Sequence, residues 1–417
     1  MDARAVSPSP LAAWRRLSPT ARRLMAVRTL RSVGQGIFTV DFTLYLRALG
    51  LGAATIGALL AAEGLVGAGL MLLLGVLSDR YGRRRFLLVY QGLTVAGTAL
   101  VLALPRPWTV AAAAVALGLG RGANGAAGPF GPVEQAWLAH AVPPPERGRA
   151  FSLNNGAAFA GMGAGALLAV ALPLLRPLLP SGRAYLAMFA LAGAIAVLNA
   201  AQLWPLPEPR PAPGPAGGAP APSAHARAQG RALMRLVAVN AVNSLAIGVV
   251  GPLIPYWFAV RFGVGPTAIG PVYAVTYLAT AAASLVAGEM AARLGLVRTV
   301  VITRVAGVAL MAALPLAPGY GAAAAMYVAR SMANRSSAGA RVALGVGLAD
   351  DRRRGLAASL NALSMRLPAS VGPALGGWLF SLGDLGLPFF LAAALQLGFL
   401  ALFATALRDV ERLALEA

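Results

Sequence analysis

Ten ionisable side chains interrupt stretches of this sequence that are otherwise apolar: Arg31, Asp41, Glu63, Arg121, Glu134, Arg304, Arg330, Arg335, Arg341 and Arg366. They offer two kinds of chemistry. A carboxylate can exchange a proton or hold a cation, and a guanidinium can hold an anion or neutralise a carboxylate. Other chemistries lack their residues. There is no Cys, and His140 and His225 are the only imidazoles. That removes disulfides, thiolate nucleophiles and Cys-ligated metals. Neither histidine has a neighbouring ligand set, so no metal or other cofactor is expected. No Gly-x-Ser-x-Gly element and no phosphate-binding loop is present, so neither an enzyme nor ATP-driven work is expected.

The elements that carry these charges are membrane helices. Of 417 residues, 58% are hydrophobic and 12% charged, against about 25% charged in soluble domains. A span takes roughly 20 apolar residues, and the apolar runs predict helices over 24–48, 55–77, 86–104, 109–141, 149–175, 184–204, 232–259, 267–291, 298–316, 319–349, 356–380 and 387–407. The net charge is +21 and every basic residue is Arg. These arginines sit in short connections between apolar runs, which reads as orientation charge and not as nucleic-acid binding. With the N-terminus inside, the cytoplasmic tails and loops hold 22 Arg and the outside loops five. Both termini are therefore expected in the cytoplasm. Residues 1–23 carry five Arg and no uninterrupted apolar core, so they read as a cytoplasmic tail and not a signal peptide.

Residues 205–231 are dense in Pro and Gly, the composition of a semi-extended linker. They separate a six-helix bundle over 24–204 from another over 232–407, with a short tail at 408–417. The bundles repeat each other. Leu51–Gly57 matches Val264–Gly270 at a shift of 213, and Arg147–Asn154 matches Arg354–Asn361 at a shift of 207. Two matches in one order point to a parallel duplication. The fold class expected is an all-α membrane protein of twelve transmembrane helices in two pseudo-symmetric bundles. The shift of 207 carries Glu134 onto Arg341. Pseudo-symmetry makes them candidates for an inter-domain gate, an ion pair formed as the cytoplasmic side closes. An inert structural pair is the competing reading. Arg330, Asn334 and Arg341 share one helix face, since eleven residues are close to three turns. They suit an anionic or zwitterionic substrate group. Arg304 and Arg366 read as snorkelling or packing residues.

The connection between the second and third helices reads Gly75-Val-Leu-Ser-Asp79-Arg80-Tyr-Gly82-Arg83-Arg84-Arg85. It resembles the signature loop of the major facilitator superfamily, G-x-L-x-D-R-x-G-R-R/K-x, at every key position. The resemblance implies a cytoplasmic latch made by Gly75, Asp79, Arg80, Gly82, Arg83 and Arg84, with Asp79 pairing to an Arg or a helix N-terminus of the other bundle. In the second half, Gly288 and Arg293 persist but Ala292 stands where the Asp belongs. Arg121-Gly-Ala-Asn-Gly125 resembles an R-x-x-x-G element common in proton-coupled members. One departure weakens a drug/proton antiporter assignment: G-P-x-x-G-G is missing from the fifth helix, and Gly372-Pro373-Ala-Leu-Gly376-Gly377 lies on the eleventh.

In that family the first, fourth, seventh and tenth helices line the cavity. The resemblance thus lets Asp41 and Arg121 meet across it, with Arg31, Gln35, Arg330, Asn334 and Tyr256 as further lining candidates and Glu63 beside them. Burial and a nearby Arg pull a carboxyl group's proton affinity in opposite directions. A cationic substrate arriving there would release the proton; a static ion pair that staples the two helices is the competing reading. The expected function is secondary transport of a small amphipathic molecule by rocker-switch alternating access, coupled to protons as efflux. Uptake or exchange of an organic anion, metabolite or lipid-like molecule is the alternative. A non-transporting sensor or scaffold on the same fold is a further class, disfavoured by the intact latch. The expected setting is the inner membrane, as a multi-pass monomer without nucleic acid.

Overall fold

The structure, a computed structural model, describes residues 14, 17–118, 131–143, 146–171, 173, 183–207, 224–294, 296–336 and 354–415. The first helix, α1 (Pro19–Ala48), starts where local chemistry favours it. Ser18 caps it by accepting from the Ala21 amide, and Pro19 fills the first turn, where its missing N–H costs nothing. The Ser18 hydroxyl also donates to the Ala141 carbonyl at 2.9 Å. That bond ties the start of α1 to the end of a later helix.

The first half continues with α2 (Ala53–Tyr81), α3 (Arg83–Ala103), α4 (Pro107–Leu117), α5 (Gly131–Ala141), α6 (Arg147–Ala171) and α7 (Leu186–Leu203). The second half holds α8 (Ala224–Val250), α9 (Ile254–Phe262), α10 (Pro266–Leu294), α11 (Leu296–Ala313), α12 (Tyr320–Ser336), α13 (Arg354–Ser381) and α14 (Leu387–Leu415). No strand occurs among the described residues. The helix predicted over 109–141 is described as α4 and α5, with 119–130 outside the described residues. The Gly75–Arg85 stretch is helical on both sides of a single residue and is not a loop: α2 runs to Tyr81 and α3 starts at Arg83. Between them Gly82 takes φ 102°, a backbone region that side chains with a Cβ rarely adopt.

Five described stretches are long and apolar enough to cross a membrane: Ala53–Met71, Arg83–Ala103, Arg147–Ala171, Arg183–Leu203 and Ala238–Phe262. Their outward faces stay apolar. Val89, Leu93, Val197 and Leu198 are all more than half exposed, which suits lipid and not water. The chain is a multi-pass, helical membrane protein.

Helix pairing repeats between the halves. The pair α1·α6 answers to α8·α13, and α1·α7 answers to α8·α14. Both main pairs are pressed backbone to backbone. A Cβ on Gly165 would lie 2.0 Å from the Val33 carbonyl oxygen, and one on Gly376 would lie 1.9 Å from that of Val249. Only a residue without a side chain permits such approach. The halves meet through α2·α13 and α6·α10, with smaller contacts of α1 with α9 and α10. Here too glycine is required: a Cβ on Gly377 would come within 2.4 Å of the Ala53 carbonyl oxygen. The adjacent glycines of the Gly372–Gly377 run therefore face different partners. Gly376 seats α13 within its own half, and Gly377 seats it across the boundary. Ala53 opens α2, at the end opposite Arg83–Arg85.

Candidate functional site

Asp41 lies deep in α1 and is 0% exposed. Neither of its carboxyl oxygens has a hydrogen-bond partner among the described residues. Helical spacing puts Phe38 and Tyr45 on its face. Both rings meet Phe189 of α7, at centroid distances of 5.2 and 5.9 Å. Asp41 thus shares its helix face with two rings that pack on α7. Burying it charged and alone would be very costly, so it must hold a proton or meet a cation. Arg121, its expected counterpart, lies outside the described residues.

Glu134 sits in the first turn of α5 and is buried. Arg31 Nη2 donates to its Oε1, a buried ion pair between α1 and α5. Sequence reasoning set Glu134 opposite Arg341, which lies outside the described residues, and did not foresee Arg31 as its partner. Nor did it single out Arg28, which is buried one turn before Arg31. The i, i+3 spacing of two arginines in an apolar run was the available signal. Glu63 is 1% exposed on α2. Its neighbour Gly64 backs onto Ser370 of α13, where a Cβ would come within 2.7 Å. Gln35 is half-buried on the α1 turn after Arg31.

In the second half, Arg304 is 1% exposed and does not snorkel. Its Nη1 donates to Asn243 Oδ1 at 2.9 Å and Asn334 Oδ1 at 3.3 Å, and its guanidinium carbon lies 5.5 Å from the Phe399 ring centre. Asn334 is therefore engaged within its own bundle. Arg330, one turn earlier on α12, is also buried. Tyr256 is half-buried, with its ring 6.1 Å from that of Phe380. An aromatic row crosses the boundary: Phe159 stacks on Tyr277 at 6.4 Å, Tyr277 meets Tyr273 at 6.1 Å, and Tyr273 meets Tyr327 at 5.3 Å.

Of the latch residues, the surroundings of Gly75 and the side chains of Asp79 and Arg80 lie outside what is described. Arg83 Nη1 lies 3.0 Å from His140 Nδ1, and Arg84 Nη1 donates to the Leu206 carbonyl at 2.9 Å. The first contact stays within the first half, and the second reaches the chain just past α7. Among the described residues, no three His, Asp or Glu side chains gather as a metal site.

The Major Facilitator Superfamily model matches residues 24–239 and, again, 236–415. No curated protein sequence matches the chain significantly. Solved structures match over nearly its whole length. The nucleoside transporter NupG is similar at 10% identity and a TM-score of 0.73, over 93% of this chain and 99% of that one. A bacterial homologue of the human lysosomal transporter Spinster, in an inward-facing and unoccupied conformation, gives 16% identity and a TM-score of 0.65, over 98% and 96%. The human organic anion transporter MFSD10 (TETRAN) gives 16% and 0.62, over 92% and 100%. With the repeated halves, the glycine-seated boundary and the family match over both halves, the chain belongs to the major facilitator superfamily.

Proposed function

We propose that the protein is a proton-coupled exporter of a small amphipathic molecule, working by rocking of its two halves about the α2·α13 and α6·α10 contacts. The observation that carries this reading is Asp41, a fully buried carboxyl group with no hydrogen-bond partner among the described residues. A proton satisfies it in one state, and a cationic substrate group or Arg121 satisfies it in another. The cycle then exchanges one for the other, because a ligand shifts the equilibrium only through different affinity for the two states. Contact near Ala53 and Gly377, at the end away from Arg83–Arg85, is consistent with a state open toward the arginine-rich side. The proposed setting is the inner membrane, with that side in the cytoplasm. The test is purified protein in liposomes under an imposed pH gradient, screened for substrate-dependent proton flux. Flux independent of the gradient overturns proton coupling.

A second reading, exchange or uptake of an organic anion, is supported by Arg330, a buried guanidinium on α12. Uptake of benzoate into the same liposomes, lost in Arg330→Gln, tests it.

A further inference from the structure

Two amide side chains are buried in the first half. Asn199 on α7 is 0% exposed and Gln91 on α3 is 2% exposed. Neither end of the Asn199 amide, nor Gln91 Nε2, meets a partner among the described residues. Arg31 gives its Nη2 to Glu134, while its buried Nε and Nη1 stay open among the described residues.

The duplication brings these three residues to one place. Gly36 backs onto the Met162 carbonyl as Gly248 backs onto that of Ala369, and Met162 and Ala369 are related by the shift of 207. Helix α8 therefore follows α1 at a shift of 212, which pairs Arg31 with Asn243. Helices α3 and α11 begin at Arg83 and Leu296, a shift of 213 that pairs Gln91 with Arg304. The Tyr45–Phe189 ring contact answers to Trp257–Phe389, which pairs Asn199 with Phe399. In the second half these positions meet: Arg304 donates to Asn243 and lies against Phe399. The first half repeats the node with its arginine delivered by α1. Its own contacts agree. Gly34 lies against Ile195, and Gly193 against Thr98. Counting from those contacts toward the cytoplasmic end puts Arg31, Gln91 and Asn199 at a common depth, to within about 1.5 Å, one residue's rise.

The open groups are mostly donors. Two nitrogens of Arg31, one of Gln91 and one of Asn199 stand against a single acceptor, Asn199 Oδ1. A water molecule would bring two hydrogens to that one acceptor, whereas a halide only accepts. We propose that Arg31, Gln91 and Asn199 form a buried site for one monoatomic anion of the chloride class, held inside the first half by α1, α3 and α7. Arg31 supplies the charge, and the amides supply the remaining donors. The site lies within one half, so rocking leaves it intact. Its ion is a resident that pins three helices and not the cargo, and it is independent of the transport readings above.

The test follows thermal unfolding of the full chain in nanodiscs while chloride replaces gluconate at constant ionic strength. The melting temperature should rise saturably with chloride, as for any ligand that binds only the folded state. Q91L and N199L should each raise the half-saturating concentration by roughly tenfold or more, the scale of a lost charge-assisted contact. E134Q should lower it severalfold, because it removes the competing negative charge. R304Q, in the corresponding node of the second half, should change stability without changing the response to chloride. Crystals grown in bromide should show an anomalous peak between Arg31, Gln91 and Asn199. A wild type indifferent to chloride, or an undiminished response in folded Q91L and N199L, overturns the site. Gradient-driven chloride uptake into liposomes that N199L abolishes overturns the resident role.

Discussion

At the residue scale, the Arg31–Glu134 pair and Asp41 pose opposite problems. The pair is buried but each charge has its counter-charge, and removing one partner strands the other. Glu134→Gln should therefore destabilise the protein by about 3–5 kcal/mol, read as a lower melting temperature in detergent, with much of the loss recovered by pairing it with Arg31→Met. Charge reversal separates this role from gating. R31E should restore the stability lost in E134R. Rescue of E134R transport by R341E is what an inter-half gate requires, and rescue by R31E alone rejects the gate. The sequence made Glu134 and Asp41 conspicuous, because each is a charge in an apolar run. It could not reveal the partner of Glu134. Arg31 is 103 residues away, and no local period links the two.

Helices and glycines carry the argument at the next scale. Apolar runs bounded by Arg, Gly and Pro marked most helices to within a few residues, because lipid requires each backbone group to be bonded within its own helix. Helix ends were harder. The run of charges after Leu77 suggested a loop, yet α2 continues to Tyr81 and one glycine turns the chain. The Gly372–Gly377 run was read as a displaced family element, and its geometry shows two separate uses. Gly376→Ala should lower stability by roughly 1–3 kcal/mol through overpacking against Val249. Gly377→Ala should reduce transport more than stability, since it obstructs contact between the halves. Comparing melting temperature with uptake rate in the two variants checks this. Equal profiles would contradict the division of roles.

Over the whole molecule, the duplicated unit legible in two short matches reappears as corresponding helix pairs, α1·α6 with α8·α13. How the halves touch was not legible, because inter-half contacts depend on small residues whose spacing looks the same on any close-packed helix. The contact is open to direct measurement in a chain without Cys. In F159C/Y277C, oxidation should join α6 to α10 where the two rings stack. It should also stop transport until reductant is added. Full transport by the cross-linked protein would show that this contact does not move.

The most direct test of proton-coupled transport compares wild type with Asp41→Asn in liposomes loaded with a pH-sensitive dye. Substrate-driven proton flux should be present in wild type and lost in the variant, while substrate still binds. Proton flux that persists unchanged in Asp41→Asn would contradict the account.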